Sequence, residues 1–166
     1  MPDVPQRMNS AGFKDASAAI IDLLGREGLP PGQTYVQGSR VAGTARPDSD
    51  LDVMHIVSDE DFGAWVAQRL NATTSERIQN QISKMADSQG RLDGFKVSRT
   101  LQADAWQNVV PLLPPEFDGL QISMGRESTS YLGPGPLIPL RGAVVAPGVP
   151  ASPLPALVVP TNGHRP

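Results

Sequence analysis

Apolar residues recur at helical spacing along much of the first 112 residues. A first helix is predicted to begin near Ser10, because its hydroxyl can cap a helix whose apolar residues share one face. Those apolar residues are Phe13, Ala16, Ile20, Leu23 and Leu24. A second helix is predicted after Ser58, where Asp61 replaces the usual Glu of a capping box. A third is predicted from about Ser75 to Gly90.

Strand-like alternation appears in three short segments, 34–37, 50–57 and 119–124. In the second, Asp50 and Asp52 alternate with Leu51 and Val53, so the two carboxylates share one face of the strand. A fourth helix is predicted over 101–112, burying Trp106, Val109 and Val110. The order helix, strand, strand, helices, strand is typical of a small α/β (α+β) domain.

The composition changes near Gly133. From 134 to 166 the chain holds nine prolines and four glycines, with Arg141 and Arg165 as its only charged residues. No helical or strand period runs through this segment, so it cannot present a packing face. We therefore expect a domain over 1–140, whose end can lie along the domain surface, and a disordered Pro/Ala/Val-rich tail over 141–166. The uncharged run 142–163 contains five prolines, which argues against a membrane-spanning helix.

Charge and cysteine content exclude several classes of function. Fourteen basic and 17 acidic residues give a net charge of −3, which argues against a broad nucleic-acid-binding surface and leaves room for a local basic patch. The absence of cysteine excludes disulfides, thiolate zinc sites, iron–sulfur clusters and a cysteine nucleophile. The compartment stays undecided, because a chain without thiols fits either redox environment.

Candidate chemistry concentrates between Gly38 and Asp52. Asp50 and Asp52 form a concentrated pair of oxygen ligands, for which Mg²⁺ or Mn²⁺ is the natural partner. About a dozen residues earlier, Gly38 and Ser39 follow a strand and open a short helix. Glycine allows close approach of the backbone, and helix N-terminal amides and the Ser39 hydroxyl can donate to phosphate. This spacing suits a metal-chelated nucleoside triphosphate.

The segment from Val36 to Val53, VQGSRVAGTARPDSDLDV, resembles the DNA polymerase beta-like nucleotidyltransferase superfamily. It also resembles, more narrowly, the nucleotidyltransferase domains at the C-terminal ends of bacterial polymorphic toxins. The resemblance implies a minimal nucleotidyltransferase fold, with a small mixed sheet flanked by helices. It implies transfer of a nucleoside monophosphate from a triphosphate to a hydroxyl of protein, RNA or a small molecule. A toxin tip would have a parent toxin and a cognate immunity protein as partners, and would act in the cytoplasm of a target cell; a free-standing enzyme would be cytoplasmic.

One position departs from the family pattern. The third catalytic carboxylate of the family aligns with Gln121, which offers a carbonyl oxygen but no charge. Asp118 has the parity of Leu120 in an extended strand and is expected to point away unless a bulge re-aims it. Asp93 and Glu116 are further candidates. In one alternative, an acid at another position takes the role of the third carboxylate. In a second, the protein is a weakened nucleotide-binding or regulatory pseudoenzyme. In the third, the protein is a small α/β domain whose acidic strand has no catalytic role.

The remaining candidates lie on the same loop or elsewhere in the chain. Arg40 and Arg46 can bind triphosphate oxygens or pair at the surface with Asp48 or Asp50. Ser49 can hydrogen-bond the loop or touch the nucleotide. His55 has the parity of Leu51, so a core histidine is favoured over a catalytic base. Six basic residues are interpreted as a solvated face, with an acceptor-binding rim as the alternative; they are Arg69, Arg77, Lys84, Arg91, Lys96 and Arg99.

Overall fold

The computed structural model describes residues 3–128 and 137–140. Within those ranges the chain forms six α-helices and five strands. The helices are α1 (Ser10–Arg26), α2 (Ser39–Ala42), α3 (Asp59–Ala72), α4 (Glu76–Gln89), α5 (Gly94–Val97) and α6 (Arg99–Asn108). The strands are β1 (Gln33–Gln37), β2 (Leu51–Val57), β3 (Arg91–Asp93), β4 (Leu120–Arg126) and β5 (Ile138–Pro139).

The five strands form one mixed sheet in the order β3-β4-β2-β1-β5. β2 and β4 run parallel, and the other neighbouring pairs are antiparallel. The parallel pair sets Leu51 opposite Leu120 and Asp52 opposite Gln121. The predicted class, a small α/β domain with a mixed sheet flanked by helices, is confirmed.

The core lies on the face of the sheet that carries Leu51, Val53 and Leu120, all of which are buried. The five apolar residues predicted for the first helix are also buried, so α1 packs into the core with the predicted face. Its N-cap is Asn9 rather than Ser10: the Asn9 Oδ1 atom accepts a hydrogen bond of 2.7 Å from the Gly12 N–H. Ser58 caps α3 as predicted, and the helix predicted from about Ser75 is α4, with Ser75 as its N-cap.

The predicted fourth helix is wrong in extent. α6 begins two residues earlier, at Arg99, because Ser98 caps it, and it ends at Asn108; a separate 3-10 turn, Val110–Leu112, follows. Val109 is buried as predicted, but Trp106 is 47% exposed. The Trp106 ring lies against the backbone of Gly119, where an added Cβ would come within 2.5 Å of it.

Two short strands were not expected as such. β3 has three residues and β5 two, too few for alternation to be visible in the sequence. Ile138 and Leu140 are buried, so 137–140 belongs to the sheet edge rather than only lying along the surface. The predicted tail over 141–166 and the run 142–163 lie outside the described residues. Among the described helices, none has the length and apolar character needed to cross a membrane.

Candidate functional site

The end of β1 and the start of β2 meet because the two strands are antiparallel neighbours. Their register sets Gln37 opposite Asp52, so the next residue, Gly38, lies directly beside the Asp52 carboxylate. Gly38 has φ 83°, and a Cβ added there would lie 3.2 Å from Asp52 Oδ2. Glycine is required at this position both for its backbone conformation and for the close approach.

The turn at Gly38 leads into α2, which is a single helical turn ended by Gly43 in the left-handed conformation. A helix this short has a negligible macrodipole, so the favourable polarity expected from the sequence is largely lost. What remains for anion binding is local: the first N–H groups of the turn, which have no partner inside the helix, and the Ser39 hydroxyl.

One cavity of about 310 Å³ collects most of the predicted site residues. Of the eight residues predicted for catalysis or for metal and nucleotide binding, six line it, Gly38 lies immediately beside it, and Arg40 does not line it. The lining residues are Ser39, Arg46, Asp48, Ser49, Asp50, Asp52, Asp118 and Gln121. The glycine-serine turn and the two strand carboxylates therefore face the same space.

The carboxylates of this cavity carry poorly compensated negative charge. Burial raises the pKa of Asp50, and the charge of Asp118 raises it further, while a hydrogen bond from Gln121 acts in the opposite direction. Burial also raises the pKa of Asp52, against a hydrogen bond from Gln37 and the charge of Arg91. The charge of Asp50 adds to the increase. Both carboxylates would gain from a cation placed between them.

Gln121, at the position where the resemblance implies a third carboxylate, has the orientation predicted from the alternation of β4. Gln121 lines the cavity, is exposed, and lies near enough to Asp50 for its amide to lower the pKa of that carboxyl. Asp118 was expected to point away, and that expectation is wrong because residue 118 is not part of a strand. It follows a turn closed by the Phe117 N–H and the Pro114 carbonyl, and the Asp118 N–H then bonds the Asp48 carbonyl at 3.0 Å. This arrangement turns the Asp118 side chain into the cavity.

The other two acids considered from the sequence do not line the cavity. Asp93 caps α5, with its Oδ1 accepting from the Lys96 N–H at 3.1 Å, and its Oδ2 lies 3.8 Å from Lys96 Nζ. Glu116 is exposed on the turn before β4. Of the three acids considered from the sequence, Asp118 is the one that lines the cavity.

The side chains of the cavity are of the type that binds a divalent cation, but few of them lie close together. Asp50 and Asp52 are hard oxygen ligands with unbalanced charge, and the buried Gln37 Oε1 atom nearby has no hydrogen-bond partner among the described residues. However, no three Asp, Glu or His side chains in the described ranges are grouped closely enough to hold a metal. The cavity thus fits a cation held by two carboxylates, with remaining ligands from water or from a phosphate.

Arg40 does not contact the cavity, and both sequence interpretations of it are wrong. Its side chain is only 1% exposed, and its guanidinium group lies 3.3 Å from the centroid of the Phe117 ring. It donates hydrogen bonds of 2.6–3.3 Å to four backbone carbonyls, those of Gln6, Arg46, Pro47 and Ser49. Arg40 therefore holds the loop that shapes the cavity instead of binding a ligand.

Arg46 and Ser49 lie at the rim of the cavity. Arg46 is highly exposed, and its Nε atom is 3.7 Å from Asp48 Oδ1, a weak surface pair that can open toward a ligand. Ser49 Oγ accepts a 2.9 Å hydrogen bond from the Arg46 N–H. Ser49 therefore has the loop role considered from the sequence, and its contact with a nucleotide stays a prediction.

His55 is a core residue, as favoured from its parity. It is fully buried, with Nδ1 2.9 Å from Thr34 Oγ1 and Nε2 2.7 Å from the Pro30 carbonyl oxygen. Burial lowers the pKa of His55 to about 4. It lies outside the cavity and is neutral at physiological pH.

Comparison with known protein families, curated proteins and solved structures finds no significant match to this chain.

Proposed function

We propose that the protein is a metal-dependent nucleotidyltransferase that moves a nucleoside monophosphate from a triphosphate to a hydroxyl acceptor. One observation carries the proposal. The Gly38–Ser39 turn and the Asp50/Asp52 pair, separated in sequence, lie at one cavity in which the carboxylates have raised pKa values. The order and spacing of these residues in the sequence resemble the motif of the polymerase beta-like superfamily.

The reaction assigns a role to each part of the cavity. Ser39 and the amides of the turn hold the β- and γ-phosphates, and Arg46 approaches them from the rim. Asp50 and Asp52 hold Mg²⁺ or Mn²⁺, which would neutralise the triphosphate and activate the acceptor hydroxyl. The acceptor oxygen forms a bond to the α-phosphorus, the bond from that phosphorus to the bridging oxygen breaks, and pyrophosphate leaves.

Asp118 is the group best suited to accept the proton of the acceptor hydroxyl. It lines the cavity and lies near enough for its charge to raise the pKa of Asp50. We expect Asp118→Asn to lower the transfer rate by about 10²-fold or more, the usual contribution of a positioned base. Glu116→Gln is the matched control, because Glu116 lies on the same turn outside the cavity. Equal rates for the two variants would exclude Asp118 as the base.

The test of the activity is incubation with each of four α-³²P-labelled nucleoside triphosphates, Mg²⁺ or Mn²⁺, and cell extract. A metal-dependent labelled product is expected. The double variant Asp50→Asn, Asp52→Asn should abolish labelling while leaving the circular dichroism spectrum unchanged. Asp87→Asn, an exposed carboxylate on α4, should retain it. Labelling that survives in the double variant would show that the site is assigned wrongly.

A second candidate function is supported by Gln121. An amide stands opposite Asp52 in the β2–β4 register, and it lies near enough to Asp50 to lower the pKa of that carboxyl, so it competes with a metal for the Asp50 carboxylate. A pseudoenzyme that binds nucleotide without transferring it would have this arrangement. Metal-dependent binding of a non-hydrolysable triphosphate without labelled product would identify it. Delivery as a toxin tip stays a prediction from the sequence.

A further inference from the structure

A second cavity, of about 300 Å³, lies where the end of α3, the link to α4, α5 and the start of α6 meet. We call it the cationic cavity, and we define it by Arg69, Phe95, Lys96 and Arg99 together with the hydroxyl-bearing link 73–75. The Arg69 side chain links two of these elements: its Nε donates a 3.1 Å hydrogen bond to the Lys96 carbonyl, which ties α3 to α5.

The charge of the cationic cavity is opposite to that of the whole chain. The chain has a net charge of −3, yet three of its 14 basic side chains line this one space, and no acidic side chain is among the described lining residues. Lys96 has Asp93 at 3.8 Å as a partner. Arg99 is exposed and forms no ion pair within residues 3–128 and 137–140. The space is therefore suited to bind an anion with several charges.

An exposed aromatic ring lies among these cations. Phe95 is 46% exposed although it is a large apolar residue. Lys96 Nζ and Arg99 Cζ each lie 5.5 Å from the centroid of its ring. An exposed ring flanked by positive charge is the combination with which proteins bind single-stranded nucleic acid, by stacking a base and pairing phosphates. A phosphorylated or acidic peptide would use the cations but would gain little from the ring.

The sheet register places the cationic cavity near the candidate site. Asp93, which caps α5, lies opposite Ser123 on β4, two residues or about 7 Å along the strand from Gln121. Ser123 and Gln121 share one face of β4, the face that carries Asp52 on β2. Lys96 Nζ lies 3.8 Å from Asp93 Oδ2. Asp93 thus links the cationic cavity, through Ser123, to the strand that carries Gln121 at the candidate site.

We propose that the cationic cavity binds a single-stranded nucleic acid, with a base on Phe95 and phosphates on Arg69, Lys96 and Arg99. The bound strand is the acceptor of the transfer reaction, a part of the inference that rests on the function proposed above. RNA and DNA share the chemistry that this cavity recognises, and the 2′-hydroxyl is what would distinguish them.

Fluorescence polarisation with labelled 12-nucleotide single-stranded RNA and DNA, in EDTA and without triphosphate, tests the binding alone. We expect Phe95→Ala to weaken binding at least about fivefold and Phe95→Trp to retain it, because stacking needs only an aromatic face. Arg99→Gln should weaken binding and lower the salt dependence by about one phosphate contact. Arg77→Gln, which removes an exposed cation of α4 outside the cavity, is the control.

The outcomes separate this inference from the proposed function. Binding that is weakened by Phe95→Ala and Arg99→Gln but not by Arg77→Gln supports the cavity, and the better of the two strands identifies its source. No binding at low salt, equal losses in all three variants, or a phosphopeptide that binds as tightly and ignores Phe95→Ala would overturn it. Absence of any labelled product would refute transfer and leave the EDTA binding result standing. A bound strand left unlabelled while another acceptor is labelled would overturn the acceptor assignment.

Discussion

Replacing Arg40 by Met is expected to release the loop that carries Asp48, Ser49 and Asp50 to the candidate site. The Arg40 guanidinium makes five hydrogen bonds to four loop and N-terminal carbonyls and lies against Phe117. Methionine keeps a similar length of apolar side chain, so the packing is largely preserved and the hydrogen bonds are what is lost.

The magnitude follows from those bonds. A hydrogen bond from a charged donor contributes about 1.5–3 kcal/mol, but bonds from a single guanidinium group are not additive, and loop carbonyls regain water when released. The carbonyls left behind are neutral, so we expect a loss of about 3–4 kcal/mol, the equivalent of about two such hydrogen bonds. That is a large part of the roughly 5–15 kcal/mol by which such domains are stable.

Urea unfolding followed by tryptophan fluorescence measures the effect. Arg46→Met is the matched control from the same loop, because Arg46 is exposed and its pair with Asp48 is long, at 3.7 Å. We expect it to change the free energy of unfolding by less than about 0.5 kcal/mol. Arg40→Lys, which keeps the charge but not the planar fork, should be intermediate. If Arg40→Met lies within about 1 kcal/mol of the wild type, the guanidinium does not hold the loop.

Three further predictions concern the groups around the sheet. Asp52→Asn should raise the Tm at pH 7 by about 2–4 °C. The folded-state pKa of Asp52 is raised by burial, so its charge destabilises the native state increasingly above pH 3.8; calorimetry at pH 7 and below 3.8 checks that the gain disappears in acid. His55 has its pKa lowered to about 4 from 6.5, so the unfolded state takes up a proton that the native state refuses. In urea unfolding, the free energy of unfolding should therefore fall by about 1.5 kcal/mol from pH 6.5 to 5 in the wild type, and by much less in His55→Gln. Gln121→Glu adds a carboxylate beside Asp50, so it should lower the Mg²⁺ concentration for half-maximal labelling by about tenfold. Gln121→Ala should not lower it. An unchanged Mg²⁺ requirement in Gln121→Glu would mean that Asp118 already acts as the third carboxylate.

The sequence predicted what depends on local periodicity. The alternation of Asp50 and Asp52 with Leu51 and Val53 set the two faces of β2, and the same parity placed Gln121 toward the cavity. His55 followed from the same rule. The cap at Ser58 was predicted because its hydroxyl precedes an apolar helical period, whereas the same pattern at Ser10 failed by one residue because the Asn9 side chain offers an equivalent oxygen.

What the sequence could not predict depends on tertiary contacts. Arg40 looks like a surface arginine beside a phosphate turn, and only the folded loop shows four carbonyls converging on it. Asp118 was assigned by strand parity, which does not hold in the turn before β4. Trp106 fits the apolar period of a helix and was predicted to be buried, yet it is partly exposed and its ring packs against Gly119. The cationic cavity joins Arg69 to Arg99 across 30 positions of sequence, a distance at which no local pattern operates.

Paramagnetic broadening in an NMR titration tests the central claim most directly. Mn²⁺ with a non-hydrolysable triphosphate, added to ¹⁵N-labelled protein, should first broaden the amide signals of Gly38, Ser39 and residues 50–53, and Asp50→Asn, Asp52→Asn should prevent this. Broadening centred elsewhere, or unchanged in the double variant, would contradict a metal–nucleotide site at this turn and this pair of carboxylates.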